Sequence, residues 1–436
     1  MRIPWKSKWK TAVVLTVGLS LGGGVVFAQK PESPTNQRQF DGAAARLSAA
    51  EINAVGHAFD NGAAKLFWFT DLERAKAQAQ REGKPILSLR LLGNLTDEYS
   101  CANSRFFRII FYPQAQINPL LREKFVLHWE SERPVPIVTI DMGDGRQIKR
   151  TLTGNSVHYL LDSSGRPLDV MPGVVTPARF AAWLDKGAQL NADFASTSLE
   201  KRDDFLSNWH RAQMTDAWHE INPNQGKNDA WVEKQVAQSV EFNPLEKPAP
   251  ARIDARMAAP IFASKSAAEA PVLDAMRLFG SGERVGPVGF RWMLGSSRAG
   301  TPTQQVLDDA TRALIKTMNP PLDESAPVSS RNSFTQSVSL QPRQNAPART
   351  PFDGLISQFE SSIRIDDRTS LERFQIPIHA SFVAGKANDF EALNRKIYDR
   401  LFLTPKSDPW LGLAADGVFT GLQNGGIFDA KKDSAE

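Results

Sequence analysis

The sequence predicts an α/β domain followed by a mainly α-helical region. Residues 85–92 are almost continuously apolar, which is typical of a strand that is buried on both faces. Helical patterns precede this run at residues 71–83 and follow it from Cys101 onward. From about residue 191 to residue 436, helical spacing dominates.

The first 28 residues have the pattern of a signal peptide. Four basic residues without an acidic one precede an apolar run over residues 11–27, and we expect cleavage after Ala28. An uncleaved anchor is the alternative, but a run of about 17 residues is at the lower limit for a membrane span. The sequence therefore predicts an exported protein, periplasmic or extracellular, whose mature chain does not span a membrane.

The charge balance gives no indication of a nucleic-acid partner. Lys and Arg exceed Asp and Glu by four, 52 against 48, and this excess equals the four basic residues of the leader. The mature chain is formally neutral, and no strip of basic and aromatic residues suited to nucleic acid is evident. We therefore expect no nucleic-acid partner, and the sequence does not indicate the oligomeric state.

The elements of the α/β domain are predicted in order. Residues 29–65 form a flexible lead, and a helix over residues 71–83 ends at Gly83. After the buried strand, apolar residues at 106, 107, 110 and 111 indicate a helix that Cys101 opens. A helix and a strand follow within residues 118–127.

Two hairpins complete the domain. Residues 134–141 and 147–153 flank the turn signal Asp144-Gly145, which predicts an added hairpin beside the strand of residues 125–129. The segment lacks the ligand pattern of a calcium loop. Residues 158–173 form the last hairpin, and a helix begins at Pro177.

This order of elements resembles the thioredoxin family over residues 66–190, and the resemblance implies a three-layer α/β/α domain. The family has Cys-x-x-Cys at the start of the helix, whereas this chain reads Cys101-Ala-Asn-Ser104 and has no other cysteine. A dithiol reaction within one chain is therefore excluded. The resemblance implies a single thiol at the active-site position, and it places the family's cis-proline at Ser156. The predicted strand of residues 85–92 also lacks the family's buried carboxylate.

Cys101 is the candidate catalytic residue. The helix dipole and Arg105 favour its thiolate, whereas Asp97 and Glu98 oppose it. The alternative is a buried cysteine that only fills core space. Ser104 either hydrogen-bonds the Cys101 sulfur or is an ordinary serine of the first helical turn.

His158 and Ser156 are the remaining supporting residues. The resemblance places both near Cys101, where a histidine can activate a thiol. A packing role in a strand is the alternative for His158. His210 and His219, nine residues apart, do not have the spacing of a metal site, and the sequence contains neither a Walker loop nor a dinucleotide fingerprint. We therefore expect no metal and no cofactor.

The second half divides into three predicted parts. Residues 191–319 are helical, with Ser198 as the N-cap of a helix to residue 218 and further helices at residues 267–278 and 304–318. Residues 320–351 are a linker rich in Pro, Ser and Gln. Residues 352–436 are a helical C-terminal region with helices at residues 354–365 and 389–402.

Two functions are consistent with these features. One is an exported thioredoxin-like protein that captures or isomerises client thiols through a mixed disulfide at Cys101. The other is a redox-inactive thioredoxin-like scaffold that binds a protein partner. Retention of Cys101 favours the first function, whereas the missing second cysteine, cis-proline and buried acid favour the second.

Overall fold

The computed structural model describes most of the α/β part and several segments of the helical part. The described residues are 64, 66–95, 97, 99–151, 155–241, 306–318, 351–410 and 422. The expected signal peptide, nearly all of the lead, the helix at residues 267–278 and nearly all of the linker lie outside this set.

A five-stranded mixed sheet forms the centre of the fold, with strand order β1-β3-β2-β6-β7. Strand β2 is central; it runs parallel to β3 and antiparallel to β6. All seven residues of β2 are buried, which confirms the strand predicted from its apolar run. The strands are β1 (Trp68–Phe69), β2 (Ile86–Leu92), β3 (Val126–Arg133), β6 (Ser156–Leu161) and β7 (Pro167–Pro172).

The helices of the α/β part begin and end near their predicted positions. They are α1 (Leu72–Glu82), α2 (Ala102–Phe106) with a π-turn (Phe107–Phe111), α3 (Asn118–Lys124) and α4 (Pro177–Ser196). The Asp71 side chain accepts from the backbone N–H of Arg74, and Gly83 ends α1 with a φ of 66°, a left-handed conformation that favours glycine. Helix α4 continues well past residue 190, where the α/β domain was expected to end.

The inserted hairpin forms at the predicted residues, but it does not pair with the strand that we expected beside it. Its strands, β4 (Ile137–Asp141) and β5 (Gln147–Thr151), pair only with each other in a separate two-stranded sheet. The prediction that the hairpin lies beside β3 is therefore wrong. Strand β3 pairs with β2 along most of its length and with β1 at Leu127 and His128, and neither hairpin strand pairs with it.

The helical part has six α-helices among the described residues. They are α5 (Arg202–Ile221), α6 (Asp229–Glu241), α7 (Asp309–Met318), α8 (Pro351–Thr369), α9 (Ile376–Val383) and α10 (Phe390–Lys396). A 3-10 turn (Leu199–Lys201) precedes α5, and π-turns follow α8 (Ser370–Gln375) and α10 (Ile397–Leu401). Ser198 precedes the 3-10 turn without a side-chain capping bond, so the expectation that it caps α5 is wrong.

The two parts share one hydrophobic core. Apolar side chains from the sheet and from α8, α9 and α10 belong to the same buried cluster. The helical part is thus packed against the sheet. Among the described residues, no helix combines the length and the hydropathy required to cross a membrane.

Candidate functional site

Cys101 lies at the end of the central strand, where β2 leads into α2. Its backbone N–H donates to the Leu92 carbonyl at 3.2 Å, and it occupies the N-cap position of α2 as predicted. Its exposed fraction is 0%. The thiol therefore has the position expected from the sequence but no contact with solvent.

The Ser104 hydroxyl lies next to the Cys101 sulfur on the first turn of α2. The Sγ–Oγ distance is 3.3 Å, and the thiol is the donor. The hydroxyl of Ser104 donates its own hydrogen to the Cys101 carbonyl at 2.8 Å. A hydroxyl has one hydrogen, so Ser104 acts as an acceptor toward the sulfur. The Asn155 carbonyl, 3.7 Å from Sγ, is a second acceptor.

Residues 390–409 lie over this end of the sheet, and we call them the C-terminal cover. Tyr398 donates through its hydroxyl to the same Asn155 carbonyl at 3.4 Å. The Asn155 side chain in turn donates to the Thr404 hydroxyl at 3.3 Å. Burial raises the pKa of Tyr398 well above 10, so its hydroxyl remains a donor at neutral pH. The loop that faces the thiol is thus held by the far end of the chain.

A buried ionic network fixes the cover to the sheet through Arg90 of β2, whose side chain is 3% exposed. The guanidinium is 2.9 Å from Glu130, 3.2 Å from Glu132 and 2.5 Å from Glu391 of α10. It also lies 4.7 Å from the centre of the Phe390 ring. The side chain of Glu132 is only 4% exposed. Removing Arg90 would therefore leave a buried carboxylate without its main counter-charge, which is costly.

Asn394 and Arg133 attach the cover at two more points. Asn394 accepts from the Tyr159 hydroxyl at 2.8 Å and donates to Glu132 at 2.7 Å. Arg133, at the end of β3, donates to the carbonyls of Pro405, Asp408 and Pro409 at 3.0–3.2 Å. Such bonds combine charge with several acceptors, and they hold the extended end of the cover in place.

Arg105 and Ser156 were the other residues expected near the thiol. The Arg105 guanidinium donates to the Thr151 hydroxyl of β5 at 3.2 Å. Ser156 follows Asn155, so the predicted loop does approach Cys101, but through the Asn155 carbonyl. The Ser156 hydroxyl is buried without a hydrogen-bond partner, and no cis peptide bond occurs among the described residues.

His158 belongs to an aromatic cluster in the core. Its Nε2 is 2.7 Å from the Tyr112 hydroxyl, and its ring centre is 4.4 Å from that of Phe107 and 5.0 Å from that of Phe180. Burial lowers its pKa to about 3, so the ring is neutral at pH 7. This environment matches the packing alternative that the sequence left open.

A second polar cluster, formed by Asp169, His210 and His379, was not found from the sequence. Its residues come from β7, α5 and α9, and all three are buried. The two Nδ1 atoms of the histidines are 2.8 Å apart, and Nδ1 of His379 is 3.7 Å from Oδ1 of Asp169. No short spacing connects them; the only available signal was an aspartate in an otherwise apolar strand.

The surroundings of this cluster decide its ionisation. Burial lowers the pKa of His379 to about 4 and that of His210 well below 6.5, so both rings are neutral at pH 7. Burial raises the pKa of Asp169 to about 7. The cluster therefore offers two neutral imidazoles and a carboxyl group with little solvation of its own.

Comparison of the chain with protein-family models, curated proteins and solved structures gives no match. The geometry of these buried groups is therefore the basis for assigning a function.

Proposed function

We propose that this chain is an exported, thioredoxin-like scaffold protein that binds a protein partner and does not exchange disulfides. The observation that carries the proposal is the complete burial of Cys101 beneath the C-terminal cover. The strand order β1-β3-β2-β6-β7, with Cys101 at the N-cap position of the helix after β2, supports the thioredoxin-like part. The same fold can carry unrelated functions, so the fold does not require a redox role.

The covered thiol is unsuited to disulfide exchange for a steric reason. Exchange begins when a thiolate attacks a client disulfide sulfur, and both the thiolate fraction and access to the sulfur limit its rate. Here the thiol lies against the Ser104 hydroxyl and the Asn155 carbonyl, either of which can accept its single hydrogen, and the loop of Asn155 is bonded to Tyr398 and Thr404. A client would have to displace part of the C-terminal cover before it could reach the sulfur.

The first prediction concerns the reactivity of this thiol. Native protein treated with N-ethylmaleimide will be alkylated at Cys101 about 1,000-fold or more slowly than protein unfolded in urea, because labelling requires an opening that approaches global unfolding. Intact-mass spectrometry against time measures both rates. Full labelling of the native protein within minutes would contradict the scaffold proposal.

A thiol that becomes reactive when the cover opens is the second candidate, and the 3.3 Å contact between Cys101 and Ser104 at a helix N-terminus favours it. The double variant Tyr398→Phe/Thr404→Val removes both bonds to the Asn155 loop. For a scaffold, labelling of this variant will rise only in proportion to its loss of global stability. Labelling that rises without such a loss, with mixed disulfides that disappear in Cys101→Ser, would establish the gated thiol. Thr317→Val, which removes an exposed hydroxyl bond within α7, is the control for loss of a hydroxyl bond away from the cover.

Export is supported by the basic start and apolar run of the first 28 residues. We expect the exported protein to begin at Gln29, and N-terminal sequencing of the protein from the periplasm or the medium measures this. Protein that keeps residues 1–28 in the membrane fraction would instead indicate an uncleaved anchor.

A further inference from the structure

The cluster of Asp169, His210 and His379 brings three metal-binding atoms together inside the core. The candidate ligand atoms all lie within 4.8 Å of one another. Zinc bound to histidine nitrogen and carboxylate oxygen at about 2.0–2.2 Å holds its ligand atoms about 3.3 Å apart in a tetrahedral site. The His210–His379 and His379–Asp169 separations of 2.8 Å and 3.7 Å lie on either side of that value. The third pair, His210 and Asp169, is at most 4.8 Å apart, so coordination draws these two side chains together by up to about 1.5 Å.

Neighbouring groups orient two of these atoms toward the centre of the cluster. Nε2 of His210 is 3.0 Å from the Leu168 carbonyl, which fixes the proton on Nε2 and leaves the lone pair on Nδ1. The indole N–H of Trp183 donates to Oδ2 of Asp169 at 2.7 Å. In metal sites the second polar atom of a histidine or carboxylate ligand, the one that does not bind the metal, usually makes a hydrogen bond of this kind.

The second oxygen of Asp169 is an independent indication of a ligand. Oδ1 has no hydrogen-bond partner, although Asp169 is only 2% exposed. A buried carboxylate oxygen without a partner is costly, and it faces the two imidazoles. A cation at this point would satisfy Oδ1 and separate the two Nδ1 atoms at the same time.

We propose that Asp169, His210 and His379 bind one divalent transition-metal ion, and that this ion is Zn²⁺. Two imidazole nitrogens and one carboxylate oxygen suit zinc, whereas calcium and magnesium prefer sites made of oxygen atoms alone. The three ligands leave a fourth position for water. Because the ligands come from β7, α5 and α9, the ion joins two helices of the helical part to the edge strand of the sheet.

Metal titration of the full chain tests this inference. Protein freed of metal by a chelator is titrated with ZnCl₂ in a calorimeter and with CoCl₂ in a visible spectrometer. We expect one ion per chain, cobalt bands of a four- or five-coordinate site without a sulfur-to-cobalt charge-transfer band, and a higher Tm with zinc. Asp169→Asn, His210→Gln and His379→Gln will each weaken binding by about 100-fold or more.

Two control variants separate this site from other ligands. His219→Gln changes another histidine of α5, and Cys101→Ser removes the only thiol; both will bind zinc as the unchanged protein does. Absence of binding in the unchanged protein, or binding that survives in the three cluster variants, would overturn the proposal and leave a metal-free hydrogen-bonded cluster. Should those variants fail to fold, zinc X-ray absorption of the unchanged protein decides. A zinc ion bound by two imidazole nitrogens and oxygen supports the site, whereas zinc bound by sulfur, or by oxygen alone, overturns it.

Discussion

Replacing Arg90 with methionine will lower the free energy of unfolding by about 3–5 kcal/mol, the usual cost of removing one partner from a buried ion pair. The guanidinium is the buried cation beside Glu130, Glu132 and Glu391. Glu130 and Glu391 are 48% and 58% exposed and can turn to water, but Glu132 is 4% exposed. In Arg90→Met the carboxylate of Glu132 keeps Lys406 and Asn394 as partners but loses the buried positive charge of Arg90. Urea unfolding followed by fluorescence measures the change.

Two further variants test whether the loss comes from the buried charge. Lys124→Met breaks an ion pair with Asp185 whose side chains are 40% and 65% exposed, and it will cost less than about 1 kcal/mol. Arg90→Met/Glu132→Leu removes both buried charges and will recover much of the stability lost in Arg90→Met. A loss below about 1 kcal/mol in Arg90→Met, equal to that in Lys124→Met, would show that the network does not hold the cover.

Acidification will destabilise the protein, and His158 will account for a large share of the effect. Burial lowers its pKa in the folded chain to about 3, whereas the unfolded chain has the ordinary value near 6.5. Below pH 6.5 the unfolded chain binds a proton that the folded chain does not. Stability due to His158 is therefore full above pH 6.5 and falls as the pH decreases toward 3, by about 4–5 kcal/mol in all.

The slope of stability against pH is the suitable measurement, because core variants also change stability at every pH. Between pH 4 and 6, His158→Leu/Tyr112→Phe will reduce the slope by about 1.4 kcal/mol per pH unit relative to Tyr112→Phe alone. The single variant keeps the histidine and serves as the control. An equal slope in the two variants would mean that His158 is accessible to protons in the folded chain.

His128 adds to the same pH dependence. Burial, and then the nearby positive charge of Arg90, lower its pKa to about 3. Its Nδ1 is 2.8 Å from the Ser88 hydroxyl of the neighbouring strand. Acid unfolding will therefore remain in His158 variants, with a smaller slope.

Local patterns predicted the elements that local forces determine. The apolar run of residues 85–92 identified β2, Gly83 identified the end of α1, and the spacing of Cys101 and Ser104 placed both on the first helical turn. Each of these depends on residues close together in sequence. The position of the inserted hairpin beside another strand depends on distant residues, and the prediction that it lies beside β3 was wrong.

The two buried polar sites depend on contacts between distant parts of the chain. Thr404 bonds to Asn155 across 249 positions, and His379 bonds to His210 across 169. Periodicity within a segment contains no information on such pairings, and neither site has a short motif. The sequence left a reactive and a buried Cys101 as alternatives and could not decide between them, because Tyr398 and Thr404, which hold the Asn155 loop against the sulfur, are far from it in sequence.

The bond between Tyr398 and the Asn155 carbonyl also sets the order of events during biosynthesis. Tyr398 leaves the ribosome about 300 residues after Cys101, which at about 5–20 residues per second takes on the order of 15–60 s. Throughout this interval the carbonyl and the side chain of Asn155 lack their partners Tyr398 and Thr404. We therefore expect a chain that ends before residue 390 to expose Cys101 to thiol reagents more than the full chain does.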